Sequence, residues 1–297
     1  MQAAATIVFP ERWREKEARL AALSPFSHQP GWRLLPVIVK ADDDLRQEQL
    51  VSQLVSECHA VFRQARVPVW LRPYEILAVS PSAGLIQAVP DTISIDALKR
   101  ADPGFTDLSG WFERHFGGGD RLRVARMNFA RSLAGYSVLC YVLNIKDRHN
   151  GNILLDRRGH LLHIDFGFLL TNSPGGNLGF EAGFKLTAEY IAVLGGPRSA
   201  LFATYRKLCV RAFLALRQQR ARIILLIQMT MAGNEGLPCF QGGARAVVAG
   251  LRARFREEAG TNEREVVAFV NRLIDENMGS WRTSVYDAIQ LFSQGVR

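Results

Sequence analysis

The chain has 297 residues, 48% of them hydrophobic and 22% charged. That is enough apolar material for one large domain or two joined lobes, and the charge content excludes wholesale disorder. A formal net charge of +9 favours polyanionic surfaces, either nucleic acid or the anionic cytoplasmic leaflet, and composition does not choose between them. Cys58, Cys140, Cys209 and Cys239 form no Cys-x-x-Cys pair, which argues against a disulfide scaffold or zinc module and fits a reducing cytosol. Residues 1–10 show no basic segment before a long apolar core, so a signal peptide is not expected. The apolar run at 223–227 is too short to span a bilayer, and membrane contact is expected to be peripheral.

No internal repeat or low-complexity tract is visible. Residues 32–40, Trp-Arg-Leu-Leu-Pro-Val-Ile-Val-Lys, read as an apolar, β-branched strand closing on Lys40. Asp42, Asp43 and Asp44 then suit a helix N-terminus through capping and the dipole. Leu54, Cys58, Val61 and Phe62 predict the buried face of that helix. Residues 69–79 and 85–89 predict two more strands, and Pro90 marks a connector. Leu122, Ala125, Phe129, Leu133, Tyr136 and Cys140 recur at three- and four-residue steps, predicting a long helix into Leu143. After the polar stretch 146–152, residues 153–155 and 161–164 predict a hairpin around Arg157-Arg158-Gly159. A glycine-rich loop covers 167–183, and the remainder reads as helical, ending in 281–292. A strand-rich part, then a helical part, with the polar motifs between them, predicts a cleft between two lobes.

The chemistry sits in Asp147-Arg148-His149-Asn150-Gly151-Asn152, followed by Asp165-Phe166-Gly167. Protein kinases use an aspartate base, an asparagine five positions on that holds magnesium, and the aspartate of a D-F-G triplet as the other metal ligand. Asp147 and Asn152 have that offset, and the hairpin delivers Asp165. Two oxygen ligands beside a triphosphate suit magnesium, which keeps waters and takes few protein carboxylates. Polar loops often contain Asp and Asn, and a lone D-F-G says little. The joint arrangement, after a helix and around a hairpin, carries the phosphotransfer reading.

Protein kinases read H-R-D where this chain reads D-R-H. That reversal resembles the phosphatidylinositol 3- and 4-kinase superfamily. The stretches "PGWRLLPVIVKADDDLRQE", "RVPVWLRPYEILAVS", "AGYSVLCYVLNIKDRHNGNILLD", "GHLLHIDFGFLL", "FKLTAEY", "GLPCF" and "YDAIQ" are similar to type III phosphatidylinositol 4-kinases, the beta form most, whereas "SPGGNLGF" is closer to the alpha form. The resemblance covers residues 10–295. It implies an α+β, bilobal protein-kinase-like fold of the lipid-kinase kind. The expected division is a small antiparallel-sheet lobe at 10–89 and a larger helical lobe at 90–297. It implies transfer of the ATP γ-phosphate to the inositol 4-hydroxyl of phosphatidylinositol, with magnesium, or manganese in its place. It also implies a cytoplasmic, peripheral, Golgi-like location on anionic membranes. No nucleic-acid motif is present, and nothing in the sequence names a protein recruiter. Two alternatives stay open: a phosphatidylinositol 3-kinase with the same machinery, and a non-catalytic kinase-fold membrane scaffold. Lys40, Asp147, Asn152 and Asp165 together argue against the scaffold.

The resemblance also implies roles. Lys40 should touch the ATP phosphates, and Glu48 should orient it, with a helix-surface carboxylate as the alternative for Glu48. Tyr74 should line the inner ATP pocket or serve as a core tyrosine. Gln87 to Val89 should form the hinge that meets adenine. Residues 24–30 should cover the phosphates without a glycine triplet; Ser27 stands where related enzymes often have glycine. Asn152 and Asp165 should hold metal. Asp147 and His149 compete as the base, and His149 otherwise stabilises charge on the phosphoryl group. Arg148 should orient the loop. His160 and His163 lack a third ligand and read as packed histidines. Residues 168–186 match the headgroup loop. With one lysine, Lys185, and no arginine, that loop favours phosphatidylinositol itself over its phosphorylated forms. Gly175, Gly176, Gly179 and Gly183 should let it move and approach the membrane. A stripe of Trp281, Val285, Ala288, Ile289 and Phe292 fits either core packing or bilayer contact.

Overall fold

A computed structural model describes residues 9, 11–173, 183–258 and 262–278. Gly175, Gly176 and Gly179 of the headgroup loop, the 281–292 stripe and nearly all of residues 1–10 lie outside these. Helix α1 (Trp13–Leu23) precedes a three-stranded antiparallel sheet of β1 (Val37–Ala41), β2 (Ile76–Ser80) and β3 (Ala83–Gln87), in the order β1-β3-β2. The register sets Lys40 opposite Gly84 and Ile38 opposite Ile86, so these four share a face. Helix α2 (Arg46–Gln64) covers that face: a Cβ on Gly84 would stand 2.6 Å from Leu45 Cδ1, at the α2 N-terminus.

Both early strands are shorter than their apolar runs. Pro36 has no N–H to give, and the Leu34 N–H donates to Glu17 of α1 (3.3 Å), so the β1 ladder starts at Val37. Residues 69–72 are bonded to a helix instead of a strand. The Trp70 N–H donates to the Arg131 carbonyl (3.1 Å), and the Arg72 N–H donates to the Tyr136 hydroxyl (3.2 Å). In α2 the predicted stripe is buried, extended by Leu50, Val51 and Val55. Its N-cap is the buried Leu45, one residue past the aspartates. Asp44 serves the helix start by accepting the Arg46 N–H (3.1 Å).

The second sheet, β4-β5-β6, contains the predicted hairpin, β5 (Ile153–Asp156) and β6 (Leu161–His163). The chain reverses at Gly159, with φ +86, where a Cβ would stand 2.9 Å from the Ala125 carbonyl. Strand β4 (Thr92–Ser94) has only three residues and gives no periodic signal. It leads into α3 (Ile95–Ala101) and α4 (Leu108–Phe116).

Helix α5 (Asp120–Leu143) carries the predicted stripe, but from Phe129 onward it is buried on nearly every side, including Ala130, Ser132, Ala134, Gly135 and Ser137. Helix α7 (Ala200–Gln218), strand β6 and the 69–72 segment enclose it. Its polar groups are matched inside: the Ser132 hydroxyl donates to the Asn128 carbonyl (2.9 Å) and accepts the Leu161 N–H of β6 (2.9 Å). Tyr136 stacks on His163 at 4.6 Å. Helices α6 (Ala188–Val193), α8 (Arg220–Met231), α9 (Gly243–Arg254) and α10 (Glu263–Asn277) complete an α+β architecture around one continuous apolar core. No helix among the described residues is long and apolar enough to cross a membrane.

Gly135 sets two effects against each other. Alanine would favour the helix by about 1 kcal/mol. Its Cβ would, however, stand 2.9 Å from the Trp70 carbonyl and 3.1 Å from Leu71 Cδ2. Backbone cannot yield cheaply, so overpacking wins: Gly135→Ala should lose about 1–2 kcal/mol net in urea unfolding. A gain in stability would mean the 69–72 segment is free to shift.

Candidate active site

The site is built where α5 ends. Asn144, with φ 51, closes the helix in the left-handed conformation, and the Ile145 N–H returns to the Cys140 carbonyl (2.9 Å). The Asn144 amide then donates to the Leu170 carbonyl (2.7 Å), the Lys146 N–H to the Phe168 carbonyl (3.0 Å), and the Leu170 N–H to the Leu143 carbonyl (2.9 Å). The loop after α5 is thereby fastened to the segment after β6, and residues 147–152 lie against 165–167.

Arg148 binds the two together. Its buried guanidinium donates from Nε to the Lys146 carbonyl (2.8 Å), from Nη1 to the Ile164 carbonyl (2.8 Å) and from Nη2 to the Asp165 carbonyl, and it lies over the Phe166 ring. Asp147 and Asp165 both take positive φ, +60° and +59°, a conformation that Asp tolerates better than most residues. Each is pinned by its own carbonyl: Asp147 accepts from Asn152 Nδ2 (3.1 Å), Asp165 from Arg148. That bond turns the Asn152 amide so that its oxygen remains for other partners. Asp165 is exposed, and its carboxylate makes no hydrogen bond or ion pair among the described residues. A carboxylate and an oriented amide oxygen fit magnesium, which draws its other ligands from water and phosphate. Among the described residues no cluster of three His, Cys, Asp or Glu offers a dedicated metal cage.

His149 Nδ1 accepts the Gly151 N–H (3.1 Å), so the neutral ring carries its proton on Nε2, 4.0 Å from Asp147 Oδ2. Burial lowers the His149 pKa, Arg148 and Lys185 add to this, and Asp147 opposes it. Lys185 is buried and donates to Asn150 Oδ1 (3.0 Å), so the one lysine of residues 168–186 points into the 147–152 loop. His160 bonds Asp156 (2.8 Å) and stacks on Trp70; His163 contacts Cys140 Sγ (3.4 Å). Both are packed histidines, as expected.

On the sheet side, Lys40 is exposed and pairs with Asp43 at 3.4 Å, without an ion pair to Glu48 among the described residues. Glu48 is half-buried. Burial, reinforced by Asp165 and Asp43 and opposed by Lys40 and Arg148, pushes its pKa up to about 7. Tyr74 is buried and stacks on Phe166 (6.5 Å, 18°), which places it beside the D-F-G turn. In the hinge stretch, the Gln87 N–H donates to the Glu75 carbonyl (2.8 Å) and the Ala88 N–H to the Pro36 carbonyl (2.9 Å), while the Val89 carbonyl accepts from the Thr92 hydroxyl (2.7 Å). Residues 24–32 form successive turns, Ser27 to Ser24 (3.3 Å) and Gln29 to Phe26 (3.0 Å). Sequence reasoning passed over Gln47, which is buried against the D-F-G carbonyls. The available signal was its place on the buried stripe, one turn before Leu50 and Val51.

Glu48 gives a pH test. Its folded pKa lies above the ordinary carboxylate value, so the stability it contributes is full below about pH 4.5 and is lost as pH rises through about 7. Glu48→Gln stays neutral throughout. Its melting temperature should match wild type near pH 4.5 and exceed it by a few degrees at pH 8, a difference of at most about 3 kcal/mol. Parallel curves across that range would contradict the half-buried, acid-surrounded placement of Glu48.

The sequence pattern of the family described as phosphatidylinositol 3- and 4-kinase matches residues 34–102 and 100–242. The chain is 46% identical over 291 residues to a phosphatidylinositol 4-kinase of Dictyostelium discoideum, covering 97% of this chain and 24% of that protein. It is 43% identical over 293 residues to phosphatidylinositol 4-kinase beta 2 of Arabidopsis thaliana, covering 97% and 26%. It is 39% identical over 293 residues to phosphatidylinositol 4-kinase beta of Xenopus tropicalis, covering 98% and 35%. The chain thus spans about a quarter to a third of the length of these relatives. With the matched stretch carrying the reversed D-R-H loop, the D-F-G turn and the Lys40 strand on one α+β scaffold, the chain belongs to the phosphatidylinositol 3- and 4-kinase family.

Proposed function

We propose that the chain is the catalytic region of a phosphatidylinositol 4-kinase, which transfers the ATP γ-phosphate to the inositol 4-hydroxyl of phosphatidylinositol. The observation that carries this reading is the Arg148 junction, which holds Asp147, Asn152 and Asp165 on one surface. Relatives named phosphatidylinositol 4-kinases across nearly the whole chain set the lipid and the ring position ahead of a 3-kinase or a scaffold.

ATP lies between the sheet and the catalytic loop, with Lys40 reaching its phosphates once released from Asp43. Tyr74 walls the inner pocket, and residues 87–89 meet adenine through the backbone. Asn152 and Asp165 hold magnesium, which when bound neutralises charge on the phosphates. Asp147 is the base. His149 cannot take the hydroxyl proton through Nε2, because its bond to Gly151 leaves the proton on that atom. Its Nε2–H instead donates to oxygens of the transferring phosphoryl group, where charge builds. The acceptor is the unphosphorylated headgroup: a ring phosphate calls for cations at the site, and Lys185 is engaged with Asn150. The division into lobes at 10–89 and 90–297, and a cytosolic, peripheral, Golgi-like position on anionic membrane, belong to the same proposal.

The direct test is Mg-ATP with phosphatidylinositol vesicles and identification of the phosphate position on the product. The 4-phosphate is expected; the 3-phosphate would make the chain a 3-kinase. In matched vesicles the bisphosphate should turn over at least about tenfold more slowly, since its phosphates meet no clustered cations. Equal rates would end the argument from the loop. Lys40→Met and Asp165→Asn should each remove about two to four orders of magnitude of turnover with little change in melting temperature. Near-normal turnover by either folded variant would overturn the site assignment.

A further inference from the structure

We infer that Gln47 is a positioning residue for phosphoryl transfer, its amide tying helix α2, which seats against the sheet of Lys40, to the backbone that follows the metal-binding Asp165. This rests on the reading of Asp165 as a metal ligand. Gln47 is buried at 6% exposure. Its Nε2 donates to the Phe166 carbonyl (3.2 Å) and the Gly167 carbonyl (2.6 Å), the two residues directly after Asp165. Its Oε1 accepts the Cys239 N–H (3.1 Å) from the Pro238–Phe240 turn, the "LPCF" motif that the reaction itself leaves unexplained. A primary amide has two donors and one acceptor oxygen, and here all are committed across three chain segments.

The partners are themselves fastened. The Cys239 carbonyl accepts from the Thr171 hydroxyl (2.8 Å). The Gly167 carbonyl also accepts from Asn172 Nδ2 (3.0 Å), while Asn172 Oδ1 takes the Leu169 N–H (2.9 Å). Residues 166–172 and the 238–240 turn therefore form one polar block, and Gln47 is its bond to α2. Two residues earlier, Leu45 seats against Gly84, the cross-strand partner of Lys40. The start of α2 thus touches β3, the strand laddered to the one that carries Lys40, and the backbone that follows Asp165. Phosphoryl transfer gains its rate from having both groups in place together, and misplacement of order 1 Å is costly.

Gln47→Met keeps the length and removes all three hydrogen bonds; Gln47→Asn keeps the amide and shortens its reach. Each is loaded with a non-hydrolysable ATP analogue and titrated with Mg2+ by calorimetry, beside the analogue's affinity without metal and the turnover of Mg-ATP. The expected result is an Mg2+ half-saturation raised about tenfold, turnover lowered about 10–100-fold, and metal-free nucleotide affinity within about twofold of wild type. If Gln47→Met fails to fold, Gln47→Asn carries the same three measurements. An Mg2+ half-saturation within about twofold of wild type in a folded variant would overturn the inference, as would equal losses of metal-free and metal-dependent binding. Wild-type protein that binds the Mg-analogue complex and phosphorylates no lipid would sink the lipid-kinase reading and leave this inference on the metal titration.

Discussion

The site depends on one buried guanidinium satisfied by backbone carbonyls. Arg148 meets the carbonyls of Lys146, Ile164 and Asp165 and the face of Phe166. Without it, three part-buried carbonyls would lose their donor, at up to about 1 kcal/mol each. Lysine could not replace the planar fork, because the three acceptors belong to two separate segments and need fixed, divergent donors. The choice of carbonyls over carboxylates also matters. A buried arginine paired to Asp147 or Asp165 would cancel the negative charge that a metal and a hydroxyl proton require. Bound to neutral oxygens, it aligns both aspartates and neutralises neither.

The reversed D-R-H order follows from this geometry. His149 has extended backbone, φ −78 and ψ 168, and in extended chain successive side chains point to opposite sides. With Arg148 directed inward, Asp147 and His149 fall on the other side together, 4.0 Å apart. The positive φ at Asp147 sharpens that turn and is held by the Asn152 amide. A base and a neutral donor can therefore face the same substrate from flanking positions, and the arginine between them never enters the cleft.

The sequence made α2, α5 and the 153–163 hairpin legible because each has a strong period or a defined turn residue. Its errors have local causes. Prolines at 36, 68 and 73 remove donors, so apolar runs that looked like strands are partly tethers to α1 and α5. Strand β4 is too short to alternate. Helix α5 looked one-sided because small and hydroxyl residues, Ala130, Ser132, Gly135 and Ser137, carry little apolar signal yet are buried. The candidate site residues were readable as a motif, since Asp147, Asn152 and Asp165 lie on short, connected segments. Contacts between distant segments were not: Gln47 with Cys239, and Lys185 with Asn150.

Charge is spent unevenly between surface and site. The chain carries an excess of nine positive charges, yet Asp165 and Asp43 gather close enough to Glu48 to act on it. Glu48 is the member held back from full ionisation, because it is half-buried near Asp165 and Asp43 and Lys40 is drawn toward Asp43. An incoming metal and nucleotide change that balance. A cation held at Asp165 would remove the repulsion on Glu48, and phosphates would offer Lys40 a stronger partner than Asp43 at 3.4 Å. Both shifts would favour an ionised Glu48 facing Lys40, the arrangement that the family resemblance implies.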